Sequence, residues 1–192
     1  RPRQISRSAV SMIPATLIPL SEQRVALESM NVQVLIDEDQ PVGDKEVSGL
    51  TRLVEHSVIA AFASGCRDRS AQCNRGEINI RICGDDAIQA INVEFLDHDY
   101  ATDVISFPYR LEPPHVEGEL VVSLPTASRV GPQHGWSAVE ELLLYVIHGC
   151  LHLIGLDDQS DDDRKAMRAA EQAAFERLGV RPPMTEADVH HG

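Results

Sequence analysis

The stretch His148-Gly149-Cys150-Leu151-His152-Leu153-Ile154-Gly155-Leu156-Asp157-Asp158 reads as the end of an apolar helix that carries two histidines. Residues four apart on a helix lie one above the other on one face, so the two rings can converge on a single metal ion. Gly155 follows within a turn, and glycine suits the left-handed residue that stops a helix. The chain can then bend back and bring Asp158 to the same point. Two imidazoles and a carboxylate leave the fourth position of a tetrahedral zinc to water, which is the arrangement of a catalytic rather than a structural site. By spacing alone Asp157 rivals Asp158 as third ligand. Two histidines at this spacing are equally well read as hydrogen-bonded core residues, and it is the added glycine and aspartate that favour a metal.

Just upstream, Ser137 with Glu140 forms a capping-box pattern that opens this helix. Its apolar face is Val139, Leu142, Leu143, Val146, Ile147, Cys150 and Ile154. Downstream, Ser160 with Asp163 repeats the pattern and opens a last helix to about Leu178, stopped by Gly179, Pro182 and Pro183. Toward the N-terminus, Asn31 to Ile36 alternates Val32, Val34 and Ile36 as a strand does. Asp44 is placed to cap a helix running to about Ser64, with Val47, Leu50, Leu53 or Val54, Val58 and Ala61 inward. Glu77 to Cys83 alternates Ile78, Ile80 and Ile82 in a second strand. Asp85 or Asp86 then caps a helix through about Leu96. A short strand, Asp103 to Phe107, is expected to end at Pro108. Glu117 to Ser123, with Leu120, Val121 and Val122 in near-continuous order, reads as a central strand. A short helix is expected from Pro125 to about Gly131. The sum is an α+β domain with a small mixed sheet of about four strands, the metal site lying on a C-terminal helix and the turn after it. Residues 1–30 read as a flexible N-terminal extension, residues 31–180 as the single domain and residues 181–192 as a disordered tail.

The 192 residues suit one domain with a substantial core. A formal net charge of −13 argues against a surface coated for nucleic acid, although it leaves room for a local basic groove. No apolar run approaches the length needed to cross a bilayer. Cys66, Cys73, Cys83 and Cys150 contain no C-x-x-C pair, which removes a zinc ribbon. Cys150, inside an apolar helix, reads as a buried thiol, and a reducing cytoplasm is the expected location. The N-terminus lacks a signal-peptide pattern.

The zincin peptidase pattern H-E-x-x-H places a glutamate general base where this chain has Gly149, which counts against peptidase work. The fuller pattern, His148-Gly-x-Leu-His152-Leu-x-Gly155-x-Asp157-Asp158, resembles the metal motif H-G-x-L-H-L-x-G-x-D-H of the YbeY family of bacterial endoribonucleases. Ile91-Asn92, Phe95, Asp99 and Thr102-Asp103-Val104-Ile105-Ser106-Phe107-Pro108 are similar to that family's T-D-V-L-S-F-P block. Gly118-Glu119-Leu120-Val121-Val122-Ser123 is similar to its G-D-I-x-I-S strand. The blocks run in the family's order and span most of the chain from about Asn31 to Leu178.

The resemblance implies a zinc-dependent endoribonuclease that prefers single strands, with one Zn²⁺ per chain on His148, His152 and Asp158. It further implies a role in forming the 3′ end of 16S rRNA and in ribosome quality control. The expected partners are single-stranded RNA, the 16S rRNA precursor and ribosomal particles, with no DNA and no membrane. Two departures stand out. Asp158 occupies the position of the family's third histidine; a carboxylate is an acceptable ligand but makes the metal a weaker Lewis acid. Leu96 occupies a position where the family commonly has an arginine near the RNA, and leucine cannot neutralise a phosphate. His98, where a basic residue is common, is the remaining candidate for that work when protonated, and is equally well read as a loop histidine without a role. Thr102, Asp103 and Ser106 are expected to shape the cleft floor, and Arg110 and Arg129 to be surface charges rather than the lining of an RNA groove. Two rival functions remain: a ribosome-assembly factor binding RNA or a ribosomal protein with little turnover, and a metallohydrolase on another substrate.

Overall fold

The alternating Val32, Val34 and Ile36 build strand β1 (Met30–Ile36), whose intervening side chains face solvent. In the computed structural model, which describes residues 30–66 and 73–180, β1 is followed by helix α1 (Asp44–Gly65), β2 (Arg75–Cys83), α2 (Asp85–Leu96), β3 (Val104–Glu112) and β4 (His115–Ser123). Helix α3 (Leu124–Val130) and a 3₁₀ turn lead to α4 (Ala138–Leu153) and α5 (Asp161–Leu178). The sheet order is β1-β2-β4-β3, with β1, β2 and β4 parallel and β3 antiparallel to β4. The expected mixed four-stranded sheet and α+β class are those observed. Most of the expected N-terminal extension, residues 1–29, and the expected tail, residues 181–192, lie outside the described residues; Met30 is buried and opens β1. Among the described residues no helix is long and apolar enough to cross a membrane.

Three local expectations are corrected. Gly43 and Gly84, not the aspartates after them, occupy the N-cap positions of α1 and α2. Asp44 and Asp85 fall in the first turn, where their charge meets the positive end of the helix dipole. The strand expected to stop at Pro108 continues to Glu112. Because β3 is an edge strand, a missing N–H is tolerated, and the register slips there: Pro108 faces Gly118, Arg110 faces Glu117, and Tyr109 is the extra residue.

The two sheet faces are covered unequally. Ile78, Ile80, Ile82, Val116, Leu120 and Val122 share the main core with α1, α4 and α5. On the other face, Cys83, Ile105 and Val121 form a smaller cluster with Ile88 of α2, against which Ala87, Ile91, Ala101 and Phe107 pack. Helix α4 is buried well beyond the expected face: Leu142, Leu143, Tyr145, Val146, Ile147, Gly149, Cys150, Leu151 and Leu153 are all inside. It is enclosed by the sheet, α1, α3 and α5. Cys150 is fully buried, as expected, and burial pushes its thiol pKa up.

Asp85 ties α2 to the end of β4. Its carboxylate accepts from Ser123 Oγ at 2.6 Å, Thr126 Oγ1 at 2.8 Å and Arg129 Nη1 at 3.0 Å. Burial pushes its pKa up, but these donors and the Arg129 charge together hold it below its ordinary value of 3.8. A depressed carboxylate stabilises the fold above its unfolded pKa, and this contribution is lost as pH falls through the folded value. Asp85→Ala is therefore expected to cost about 2 kcal/mol at pH 7 in urea unfolding. The gap to the parent protein is expected to close as the pH is lowered below about 4.

Candidate metal centre

The reciprocal capping box at the start of α4, with Ser137 N–H donating to Glu140 at 2.7 Å and Glu140 N–H to Ser137 Oγ at 3.2 Å, sets where the helix begins. Sixteen residues later it ends in a Schellman turn. Leu156 N–H donates to Leu151 O at 3.0 Å and Gly155 N–H to His152 O at 2.9 Å, with Gly155 at φ +89°. That turn leaves Leu156 O beside the His152 ring, which donates from Nδ1 to it at 2.9 Å. Helix α5 supplies the matching acceptor for the other ring: His148 Nδ1 lies 2.7 Å from Glu171 Oε1.

Both Nδ1 atoms face oxygen acceptors, so each neutral ring carries its proton there and keeps its lone pair on Nε2. The two Nε2 atoms face each other at 2.9 Å. Two lone pairs so placed repel unless a cation or a proton lies between them, and the donor set therefore fits a metal ion. Asp158 Oδ2 stands 3.8 Å from His148 Nε2, and one donor atom from each of His148, His152 and Asp158 lies within 4.8 Å of the others. Burial pushes the His148 pKa down, but the Glu171 hydrogen bond and charge, with Asp103 and Asp158, outweigh it and leave it raised.

The structure thus brings His148, His152 and Asp158 together. It turns Asp157 into a separate groove beside Gly65 and Ala170, where its Oδ1 accepts from Asp158 N–H. The rings open into a cleft of about 360 Å³ lined by Leu96, Asp103, Val104, Ile105, Ser106 and Pro108. Asp103 spends its Oδ1 on Thr102 Oγ1 and Val104 N–H, both at 2.8 Å, and Ser106 Oγ reaches Gly149 O at 3.4 Å. Leu96 stands half-exposed at the wall. His98 is not in that lining; it stacks on Tyr100 in the exposed loop, ring centroids 5.5 Å apart. Arg110 is engaged by Glu112 and Glu117, and Arg129 by Asp85. Glu171 went unnoticed in the sequence, since a glutamate in an acidic helix gives no signal until the fold shows it buried.

Gly149 explains itself sterically. A Cβ there would stand 2.8 Å from Leu120 Cδ2 and 3.0 Å from Val104 Cγ2, so the position that holds glutamate in a zincin is pressed against the sheet.

An α+β fold that presents two imidazoles and a carboxylate at an open cleft has the donor set of the metal-dependent hydrolases. The chain belongs to the YbeY family: the family described as Endoribonuclease YbeY matches residues 38–179. It is 51% identical over 137 residues to Endoribonuclease YbeY of Rhodopirellula baltica, covering 70% of this chain and 67% of that one. Endoribonuclease YbeY of Desulforamulus reducens is 37% identical over 139 residues, covering 68% and 88%. A solution structure from Thermotoga maritima is 22% identical, with a TM-score of 0.47 over 76% of this chain and 89% of that one.

The two glycines should fail differently when changed to alanine. At Gly155 a Cβ meets only Leu111 Cδ2 at 3.9 Å, so the whole cost is the left-handed backbone, about 1–2 kcal/mol. Gly149→Ala overpacks the helix–sheet contact, with an expected loss of about 1–3 kcal/mol. Urea midpoints of the two variants measure both.

Proposed function

We propose that the chain is a zinc-dependent, single-strand-specific endoribonuclease, with one Zn²⁺ held by His148, His152 and Asp158. The observation that carries the reading is the pair of Nε2 atoms facing each other with a carboxylate alongside. Family membership supplies the substrate class. A metal bound there supplies Lewis-acid polarisation of a phosphodiester oxygen and lowers the pKa of water. The chain's own part is to hold three donors in place. The Schellman turn fixes the His152 ring, and the Val104–Pro108 edge strand forms the wall along which a strand of RNA would lie. In the cell the substrate would be the 16S rRNA precursor at its 3′ end, with ribosomal particles as partners in maturation and quality control. The location would be cytoplasmic, and neither DNA nor a membrane would be a partner.

Leu96 favours a second reading, a ribosome-assembly factor with little turnover. Among the described residues the cleft lining contains no arginine or lysine, so no guanidinium or ammonium in it neutralises a phosphate.

One set of measurements separates these. The purified protein is expected to bind one zinc per chain and to cleave single-stranded but not double-stranded RNA. A chelator, His148→Ala and Asp158→Ala are each expected to lower cleavage about 100-fold or more. Zinc binding without cleavage, together with binding to ribosomal particles, would instead establish the assembly factor. Cleavage of a small ester but not RNA would overturn both.

Leu96→Arg places a guanidinium at the cleft wall. It is expected to raise kcat/KM for RNA about tenfold, the gain of one charge-assisted contact to a phosphate, and to steepen the loss of activity with salt.

A further inference from the structure

Helix α5 buries one stripe of its surface: Met167, Ala170, Glu171, Ala174, Phe175 and Leu178. Five of these are apolar and pack in the main core. Glu171 is the exception, and it is 8% exposed. A carboxylate in that setting is costly unless something in the fold needs it, and an apolar residue of similar size is commonly neutral or better there. What it meets is the far side of a candidate ligand, His148 Nδ1 at 2.7 Å. The other ring has no such partner, because a backbone carbonyl holds it.

We propose that Glu171 is a positioning residue for the metal centre: it locks His148 in the Nδ1–H tautomer and aims the Nε2 lone pair at the cation site. This rests on the zinc reading above. Three effects follow from one hydrogen bond. The proton is pinned on Nδ1, so Nε2 is free to ligate. The ring cannot rotate about Cβ–Cγ, because α5 holds its outer edge. The negative charge behind the ring makes it a stronger donor to a cation. The last helix is thereby coupled to a site it does not itself line, since the cleft lining contains no α5 residue. His152 obtains the same tautomer from the helix-ending turn, so the two ligands are held by independent devices.

The test uses the full chain with Glu171→Met and Glu171→Gln, neither of which touches the cleft. Zinc affinity is read by competition with a chromogenic chelator. Unfolding in urea with chelator present reads the fold without metal. Glu171→Met is expected to weaken zinc binding 10- to 100-fold while the metal-free protein unfolds at the same urea concentration as the parent or higher. Glu171→Gln keeps an acceptor without its charge and is expected to lose less than tenfold. A glutamate with only a packing role would show the reverse pattern, lower stability with zinc affinity unchanged, and that result overturns the proposal.

A second readout needs no metal. Long-range nitrogen–carbon-bound-proton correlation spectra of the metal-free protein above the titration range are expected to show His148 protonated on Nδ1. In Glu171→Met they are expected to show a shift toward the Nε2–H form. His148 found as Nε2–H in the parent overturns the proposal, whatever the zinc result. Tight zinc binding and the expected tautomer without RNA cleavage would sink the nuclease reading and leave Glu171 in its role.

Discussion

Helix α4 and the sheet interlock through two glycines. Gly149 on the helix lies over Leu120 and Val104, and Gly118 on β4 lies under Leu153, where a Cβ would stand 2.8 Å from a methyl group. Bare backbone on each side lets the elements approach more closely than side chains would allow. The consequence reaches the end of the helix that carries the two histidines. With α4 seated this deeply, His148 and His152 emerge on the side facing the exposed edge of β3, and the cleft is the space left between them. The glycine at the position of a zincin glutamate is thus a requirement of packing, and it also removes the general base of a peptidase from the one place on the helix where it would stand.

Around the candidate centre the order comes from hydrogen bonds that each do one task. Leu156 N–H closes the helix-ending turn and Leu156 O orients His152; Glu171 orients His148; Asp103 accepts from Thr102 and Val104 and shapes the floor. Asp158 is different. It is half-exposed and its position depends on the short turn after Gly155. The site therefore combines two imidazoles held by hydrogen bonds with one half-exposed carboxylate. An anionic ligand would lower the acidity of a metal bound there.

The acidity of the chain and its nuclease family membership are in tension only at first sight. Net charge acts over a Debye length, about 8 Å at physiological salt, whereas a phosphodiester in the cleft responds to what lies against it. There the lining holds Leu96 and Pro108 beside Asp103 and the two histidines, and Arg110, Arg129 and Arg164 are each tied to carboxylates. A grip on a phosphate in this cleft would come chiefly from a bound cation, unlike in a site that carries its own guanidinium.

Periodicity carried the order of strands and helices, because burial on one face writes itself into spacing: Ile78, Ile80 and Ile82 could hardly be anything but a strand. The spacing of His148 and His152 carried half of the candidate site for the same reason, since a helix brings residues four apart together wherever it sits. Local pattern misjudged Pro108, because whether a proline ends a strand depends on whether that strand is at an edge, and edges exist only once the sheet is assembled. It could not rank Asp157 against Asp158, which part company through one left-handed turn. Glu171, twenty-three positions from its histidine, was invisible for a deeper reason. Its meaning lies in burial and in a contact between two helices, and chain order does not encode which acid in an acidic helix is turned inward.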